Sequence, residues 1–213
     1  QLCREAAAQG AVLLRNEENT LPVEDGECVS VFGRIQKDYY RSGTGSGGAV
    51  NVPYTTNLLD SLRQCQNIRV NEELAGAYES WLQENPFDDG GGGWAAEPWN
   101  QKEMPVTEEM IRQAASNSDK ALVVIGRTAG EGKDYEDLED SYRLNSQEKE
   151  LLRMVTGYFK KTAVILNVTC VIDMSFLAET YKNPITAVLY VWHGGQEGGN
   201  AAADVITGKV TPG

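Results

Sequence analysis

This chain of 213 residues has a single histidine, and its few cysteines form no recognisable motif. The only histidine is His193, which excludes a histidine-rich metal site, and a Ser/His/Asp triad would have to use it without a G-x-S-x-G motif. The four cysteines are far apart and form no C-x-x-C or Cys/His pattern. Cys28 and Cys170 adjoin apolar runs, which favours buried free thiols over disulfides or zinc ligands. We therefore expect neither a metal ion nor a cofactor.

Positive charge is also in short supply, because 19 basic residues face 31 acidic ones and the net charge is -12. Such a surface repels phosphate backbones, so nucleic acid is not an expected partner, whereas neutral ligands are not disfavoured. No apolar run reaches the length of a membrane span, and we expect no membrane association. The chain starts without an initiator methionine or a signal peptide and stops abruptly at 211–213. We expect it to be a piece of a longer protein, whose compartment stays open.

Apolar strand-like runs alternate with helical patterns along the whole chain, which predicts one α/β domain over residues 1–213 with a layered sheet and right-handed crossovers. One helix start is especially clear, since Asn145 and Glu148 form a capping-box pattern. The expected helices are Leu2 to Arg15, Thr55 or Thr56 to about Gln64, Glu72 to Gln83, Thr107 to near Ser116, Ser146 to Phe159, Ile172 to Tyr181 and Asn200 to Thr207. The expected strands are Cys28 to Phe32, Ile68 to Val70, Ala121 to Ile125, Thr162 to Val168 and Ile185 to Trp192.

Residues 85–105 break this alternation and read as an insertion or a long surface loop. The segment contains four consecutive glycines, Gly90 to Gly93, together with Trp94 and Trp99. Either tryptophan could stack on a sugar ring, or the two rings could pin the loop to the core. The sequence leaves both interpretations open.

The segment 121–134, ALVVIGRTAGEGKD, organises the rest of the chain. Its apolar start predicts a strand buried on both faces, and its glycine-flanked charges follow the carboxyl end of that strand, where open α/β sheets bind ligands. A carboxylic acid between two glycines at that position is a candidate general acid, and Glu131 is the residue in question. The alternative is a solvated loop charge without chemistry.

Three glycine-rich loops each follow a strand, at 43–48 (GTGSGG), 129–134 (AGEGKD) and 193–199 (HGGQEGG). Glycines at such places permit positive φ angles and close approach of the backbone to a ligand. Phosphate binding is the alternative use of such loops. It has little support, because no G-x-x-x-x-G-K-[ST] motif occurs and the first loop is not a G-x-G-x-x-G opening directly into a helix.

These segments together resemble glycoside hydrolase family 3. The likeness lies in the start REAAAQGAVLLRNEENTLPV, the loop GTGSG, the strand and loop VVIGRTAGEGKD, and the ending WHGGQEGGNAAADVITGKVTPG. The similarity is to the family's (α/β)6-sandwich domain, which β-glucosidases pair with a (β/α)8 barrel. It implies a three-layer sandwich with a mostly parallel sheet and helices on both faces. It covers nearly the whole chain, except for about residues 68–107.

The resemblance also implies a reaction, the retaining hydrolysis of β-linked glucosides or related oligosaccharides. Such chemistry uses a carboxylate nucleophile and a carboxylic acid/base roughly 5–5.5 Å apart. In the family the nucleophile is an aspartate of the barrel, which this chain does not contain, so the barrel is the implied partner in the same polypeptide. Glu131 matches the acid/base of the sandwich domain, and desolvation in a closed cleft is expected to raise its pKa. The sugar, the linkage and the domain order stay open.

The other implied site residues are contacts to the substrate or supports of the loop. Arg41 and Ser46 belong to the loop that approaches the sugar, and either contact or structural support is open for them. Arg127 and Asp134 are expected beside Glu131 as substrate-binding residues or as neighbours that orient its loop. Glycine packing explains the turn at 193–199, which His193 and Glu197 are expected to hold in place.

Two competing hypotheses come from other classes of protein. The first is a non-catalytic carbohydrate-binding or docking module, in which Glu131 would be indifferent. The second is a nucleotide-binding α/β domain, against which the net charge of -12 and the missing phosphate-binding fingerprint both argue.

Overall fold

A computed structural model describes residues 1–213 and contains one six-stranded sheet with the strand order β1-β6-β5-β4-β2-β3. Five strands run parallel, and β1 pairs antiparallel with β6 at one edge. The central strand, β4, is buried along its whole length. The strands are β1 Val12–Asn16, β2 Cys28–Phe32, β3 Arg69–Val70, β4 Lys120–Arg127, β5 Thr162–Val168 and β6 Ala187–Tyr190.

Helices cover both faces of this sheet, which gives three layers and confirms the predicted α/β class. Alternate residues of β4 show why, because Leu122 and Val124 enter one apolar cluster while Val123 and Ile125 enter the other. The first cluster is completed by α1, α2 and α6, and the second by α3, α4 and α5. The helices are α1 Leu2–Gly10, α2 Leu58–Arg63, α3 Glu72–Glu84, α4 Glu108–Ser116, α5 Ser146–Tyr158 and α6 Gly198–Ile206. All of them are too short or too polar to bridge a lipid bilayer.

The prediction of one helix from Leu2 to Arg15 is wrong. The helix α1 ends at Gly10, Ala11 is extended, and the chain continues as the edge strand β1. In that strand Val12 pairs with Tyr190, and the pairing ends at Asn16 with Ala187. Without β1, the outer edge of β6 would leave its backbone groups unpaired, so sheet pairing outweighs the local helical pattern.

The helix expected from Ile172 to Tyr181 is also wrong, because the structure forms only a short 3-10 turn at Ser175–Ala178. The carboxylate of Asp173 accepts hydrogen bonds from the backbone N and the hydroxyl of Ser175, at 2.9 and 2.7 Å. A side chain that bonds its own backbone in this way competes with helix formation.

The remaining elements lie within about two residues of their predicted ends, the usual variation at helix and strand termini. Thr107 caps α4 and the capping box of Asn145 and Glu148 starts α5, both as predicted. The cap of α2 differs, because Asn57 rather than a threonine accepts from the backbone N of Asp60 at 2.8 Å. All four cysteines are free thiols, although Cys170 is half-buried and not fully enclosed like Cys28.

Candidate functional site

Glu131 lies at the tip of a tight turn just beyond the carboxyl end of β4. Gly130 and Lys133 close this turn through reciprocal backbone hydrogen bonds of 3.0 and 3.0 Å, with Glu131 and Gly132 between them. Gly132 has a φ of 80°, a value that favours glycine. The turn therefore presents the Glu131 side chain to solvent from a backbone of defined shape.

The loop after β2 pairs with this turn and holds the carboxylate. The backbone N of Thr44 donates to the carbonyl of Ala129 at 3.1 Å, and the backbone N of Ser46 donates to Oε2 of Glu131 at 3.0 Å. Gly45, between them, has a φ of 83°, and a Cβ there would overlap Cβ of Glu131 and lie 2.9 Å from its carbonyl oxygen. The two glycine-rich loops thus fit together only because position 45 carries no side chain.

The electrostatics of Glu131 differ from the expectation of a raised pKa. The backbone N–H of Ser46 stabilises the ionised carboxylate and lowers the pKa of Glu131 below its ordinary value. The side chain is open to solvent in this domain, so desolvation does not offset that hydrogen bond. A raised pKa would require a second surface to cover the carboxylate.

A cleft of about 590 Å³ lies beside the turn, between residues 37–49 and 87–97. Trp94 forms part of its wall, is 63% exposed and lies so close to Gly132 that a Cβ there would be 3.0 Å from its Nε1. Trp99 is engaged instead, because its Nε1 donates to the carbonyl of Asp134 at 3.0 Å and the Lys133 ammonium lies 4.8 Å from its ring. Trp99 therefore fastens the insertion to the 129–134 loop and not to the core, whereas the ring of Trp94 stays exposed in the wall of the cleft.

Three further candidate residues lie near the cleft and the Glu131 turn, namely Arg41, Ser46 and Asp134. Their side chains differ in their hydrogen bonding and exposure. The guanidinium of Arg41 donates to the carbonyls of Gly48 and Val50, both at 3.0 Å, and so closes its own loop. The side chains of Ser46 and Asp134 are exposed near the Glu131 turn.

Arg127 lies beneath the turn and not at its surface. The side chain is fully buried and pairs in bidentate fashion with Glu148, with both N–O distances at 2.6 Å. Its Nε and Nη2 also donate to the carbonyls of Ser141 and Arg143, at 3.0 and 3.1 Å. Burial alone lowers the pKa of Arg127, but the Glu148 charge outweighs it and raises the value above the ordinary one. The ion pair ties the carboxyl end of β4 to the start of α5, a connection that the capping-box pattern did not reveal.

Asn167, at the carboxyl end of β5, is a second connection that sequence reasoning missed. Its Oδ1 accepts from the backbone N of Tyr40 at 2.8 Å, and its Nδ2 donates to the carbonyls of Tyr40 and Trp192 at 3.0 and 2.6 Å. The available signal was a single amide in the apolar run TAVILNV, because a fully buried polar side chain requires partners. Asn167 joins the loop after β2 to the end of β6.

Comparison with known proteins gives one consistent answer. The sequence profile of the glycosyl hydrolase family 3 C-terminal domain matches residues 11–213. A β-glucosidase of Ruminococcus albus is 45% identical over 208 residues, which cover 98% of this chain and 21% of that protein. Beta-glucosidase A of Butyrivibrio fibrisolvens is 33% identical over 235 residues, covering 100% of this chain and 27% of its own length.

Solved structures agree with the sequence relatives. A β-glucosidase from Paenibacillus barengoltzii superimposes with a TM-score of 0.97 at 59% identity, over 99% of this chain and 23% of that one. Beta-glucosidase 3B from Thermotoga neapolitana, solved in complex with α-D-glucose, gives a TM-score of 0.84 at 31% identity, over 98% of this chain and 29% of that one.

The three layers and the parallel sheet define an α/β-sandwich domain, with the Glu131 turn at the carboxyl edge of the sheet. The chain belongs to glycosyl hydrolase family 3, as its C-terminal domain. It spans 21% and 27% of the lengths of the two curated relatives above.

Proposed function

We propose that this domain supplies Glu131 as the general acid/base for retaining hydrolysis of β-linked glucosides or related oligosaccharides. A (β/α)8 barrel elsewhere in the same polypeptide would carry the aspartate nucleophile. The observation that carries the proposal is the Glu131 turn itself, in which a solvent-facing carboxylate is oriented by the backbone of a second glycine-rich loop. This arrangement suits a proton donor that must meet a substrate held by another domain.

The hydrogen bonds of Glu131 indicate how the proton would be moved. The backbone N–H of Ser46 occupies Oε2, so Oε1 is the oxygen left to carry the proton. In the first step the proton on Oε1 passes to the glycosidic oxygen as the bond to the leaving group breaks and the nucleophile forms the glycosyl-enzyme. In the second step the same carboxylate takes a proton from the water that releases the sugar. A covering barrel would desolvate Glu131 and bring a second carboxylate near it, and both effects raise a carboxyl pKa.

The neighbouring residues have separate proposed roles. The Glu131 turn, residues 130–133, is called the acid turn from here on. The exposed ring of Trp94 provides an apolar face beside it, on which a sugar or aryl group would stack. The exposed side chains of Ser46 and Asp134 are proposed to contact the substrate, whereas Arg41 shapes the loop through its two carbonyl partners. Arg127 acts through the position of the turn, because its guanidinium is buried.

The test uses the full-length parent enzyme with the substitution Glu131→Ala and an aryl β-glucoside. We expect deglycosylation to slow by about 100-fold or more, because general acid–base catalysis contributes about 10²–10⁴-fold. Added azide should restore the rate and give the β-glycosyl azide, since azide needs no general base. The control is Glu136→Ala, which removes another exposed carboxylate from the same loop. Full activity of Glu131→Ala without azide would place the acid elsewhere.

Trp94 and the cleft also favour a second candidate, a carbohydrate-binding module without chemistry. In that case Trp94→Ala would weaken sugar binding by the parent protein while Glu131→Ala left turnover unchanged. A nucleotide is a weaker candidate, because the backbone N–H of Ser46, which a phosphate in the GTGSGG loop would need, is bound to the Glu131 carboxylate.

A further inference from the structure

His193, the only histidine, lies just beyond the carboxyl end of β6, beside the carboxyl ends of β5 and β4. Its Nε2 lies 2.9 Å from the carbonyl oxygen of Arg127, at the end of β4. The hydroxyl of Thr169, just beyond β5, lies 3.2 Å from both ring nitrogens. The imidazole also stacks on the ring of Tyr40, with centroids 5.6 Å apart and planes 25° from parallel. These contacts place His193 directly under the loop that leads to Glu131.

A short series of backbone contacts connects this position with the acid turn. Oγ1 of Thr169 donates to the carbonyl of Arg127 at 3.3 Å and accepts from the backbone N of Ala129 at 3.3 Å. The carbonyl of Ala129 accepts from Thr44, the residue that forms a bridge with Gly130. His193 and Thr169 therefore fix the backbone that enters the Glu131 turn, although neither side chain contacts Glu131.

The backbone before His193 is strained in a way that keeps the ring in this place. Trp192 has a φ of 52°, in the left-handed region that residues other than glycine rarely adopt. Its carbonyl accepts from Asn167 at 2.6 Å, and its Nε1 donates to the carbonyl of Gly10 at 2.9 Å. Strain of this kind persists only where the surroundings impose it, and it concentrates at functional sites.

We propose that His193 is a positioning residue for Glu131, which rests on the proposed role of Glu131 as acid/base. Its Nε2–H donates to the carbonyl of Arg127 and holds the point at which the acid turn leaves the sheet. Burial lowers the pKa of His193 to about 4, so the imidazole is neutral near pH 7 and carries a single N–H. The Arg127 carbonyl, as an acceptor, assigns that proton to Nε2.

The test compares two substitutions in the full-length parent enzyme, His193→Ala and His193→Gln. Activity is measured on aryl β-glucosides whose phenol leaving groups range from good to poor. Misplacing the acid should slow hydrolysis by about 10- to 100-fold for substrates with poor leaving groups and by less than about 3-fold for substrates with good ones. The reason is that only poor leaving groups need the proton. The KM values should change little. A glutamine side chain offers an amide N–H in place of the imidazole N–H, so we expect His193→Gln to recover most of the rate.

A double-mutant cycle separates positioning from a general loss of structure. If His193 acts through Glu131, His193→Ala should have no further effect on poor leaving groups in the Glu131→Ala background. An equal loss for all leaving groups, or a glutamine variant as impaired as the alanine variant, would overturn the inference. Full activity of Glu131→Ala would instead refute the proposed function. Thr169→Val, which removes the hydroxyl bound to Ala129, should give the same leaving-group pattern and serves if His193→Ala fails to fold.

Discussion

Glu131 and Glu103 each accept a hydrogen bond from a backbone N–H of the segment after β2, yet their pKa values shift in opposite directions. Glu131 accepts one such bond, from Ser46, is exposed, and has a lowered pKa. Glu103 accepts from the backbone N of Arg34 at 2.8 Å and of Met104 at 2.7 Å, but it is buried, and burial raises its pKa to about 7. Desolvation therefore outweighs two hydrogen bonds within this chain.

The comparison indicates what closure of the cleft would do to Glu131. A general acid that works near neutral pH needs a pKa close to that of Glu103. Glu131 has the hydrogen bonding but not the burial, and the surface that would provide burial lies outside this domain. Under the proposed function, this domain orients the Glu131 carboxylate, and a second domain would supply the burial that raises its pKa.

The largest expected effect extends the comparison to a third carboxylate, Glu148, which is buried like Glu103 but paired with a cation. Arg127→Met would leave Glu148 without that cation in the interior. We expect the free energy of unfolding to fall by about 3–5 kcal/mol, the usual cost of breaking a buried ion pair by removing one partner. Urea unfolding of the domain measures it.

The matched control for this substitution is Arg143→Met. Arg143 pairs with Asp137 at 2.7 Å, but both side chains are more than half exposed, at 52% and 66%. Solvent screens an exposed pair of this kind, so we expect its loss to change the stability little. If the two variants lost the same small amount of stability, the buried pair would not be the part that supports the loop.

The next effect concerns pH and tests Glu103 itself. Its pKa in the folded protein, about 7, lies above the ordinary glutamate value of 4.5, so the folded state binds the extra proton between these values. The resulting stability is fully present below about pH 4.5 and is lost as the pH rises through about 7, by up to about 3 kcal/mol. Urea unfolding across this range should show the loss, and Glu103→Gln should remove this slope whatever its effect on the absolute stability.

His193 must be considered in the same experiment, because its sign is opposite. Burial lowers its pKa from 6.5 to about 4, so the unfolded state binds the proton in that window and stability falls as the pH drops through it. The difference between the wild type and Glu103→Gln cancels this contribution. A difference that stayed constant from pH 4.5 to 7 would contradict the raised pKa of Glu103.

The smallest expected effect on stability concerns the backbone hydrogen bond from Ser46 to Glu131. Gly45→Ala places a methyl group against Glu131 on a backbone with a φ of 83°, and we expect a loss of about 2 kcal/mol. The same change should separate Ser46 from the carboxylate and lower kcat of the parent enzyme on poor leaving groups. Gly47→Ala is the control, because a Cβ there has no heavy atom within 4 Å. Equal behaviour of the two variants would show that the loop does not orient the acid.

Several features of the site follow from sequence patterns that act locally. The apolar run of β4, the glycines on either side of Glu131 and the capping box of α5 all predict structure that is present. Two helix predictions were wrong because sheet pairing at β1 and the hydrogen bonds of the Asp173 side chain competed with a helical pattern. The connection made by Asn167 was missed because its hydrogen-bond partners, Tyr40 and Trp192, lie 127 and 25 residues away along the chain.

By itself, the sequence determined the alternation of strands and helices, the caps and the turn that carries Glu131. These features depend on periodicity, on capping side chains and on glycine conformations, which act over a few residues. Only the tertiary structure decided that Arg127 pairs with Glu148, that His193 contacts the carbonyl of Arg127, and that the pKa values of Glu103 and Glu131 shift in opposite directions. Partner choice and burial are set by groups far apart in the chain, and burial decides the sign of a carboxyl pKa shift.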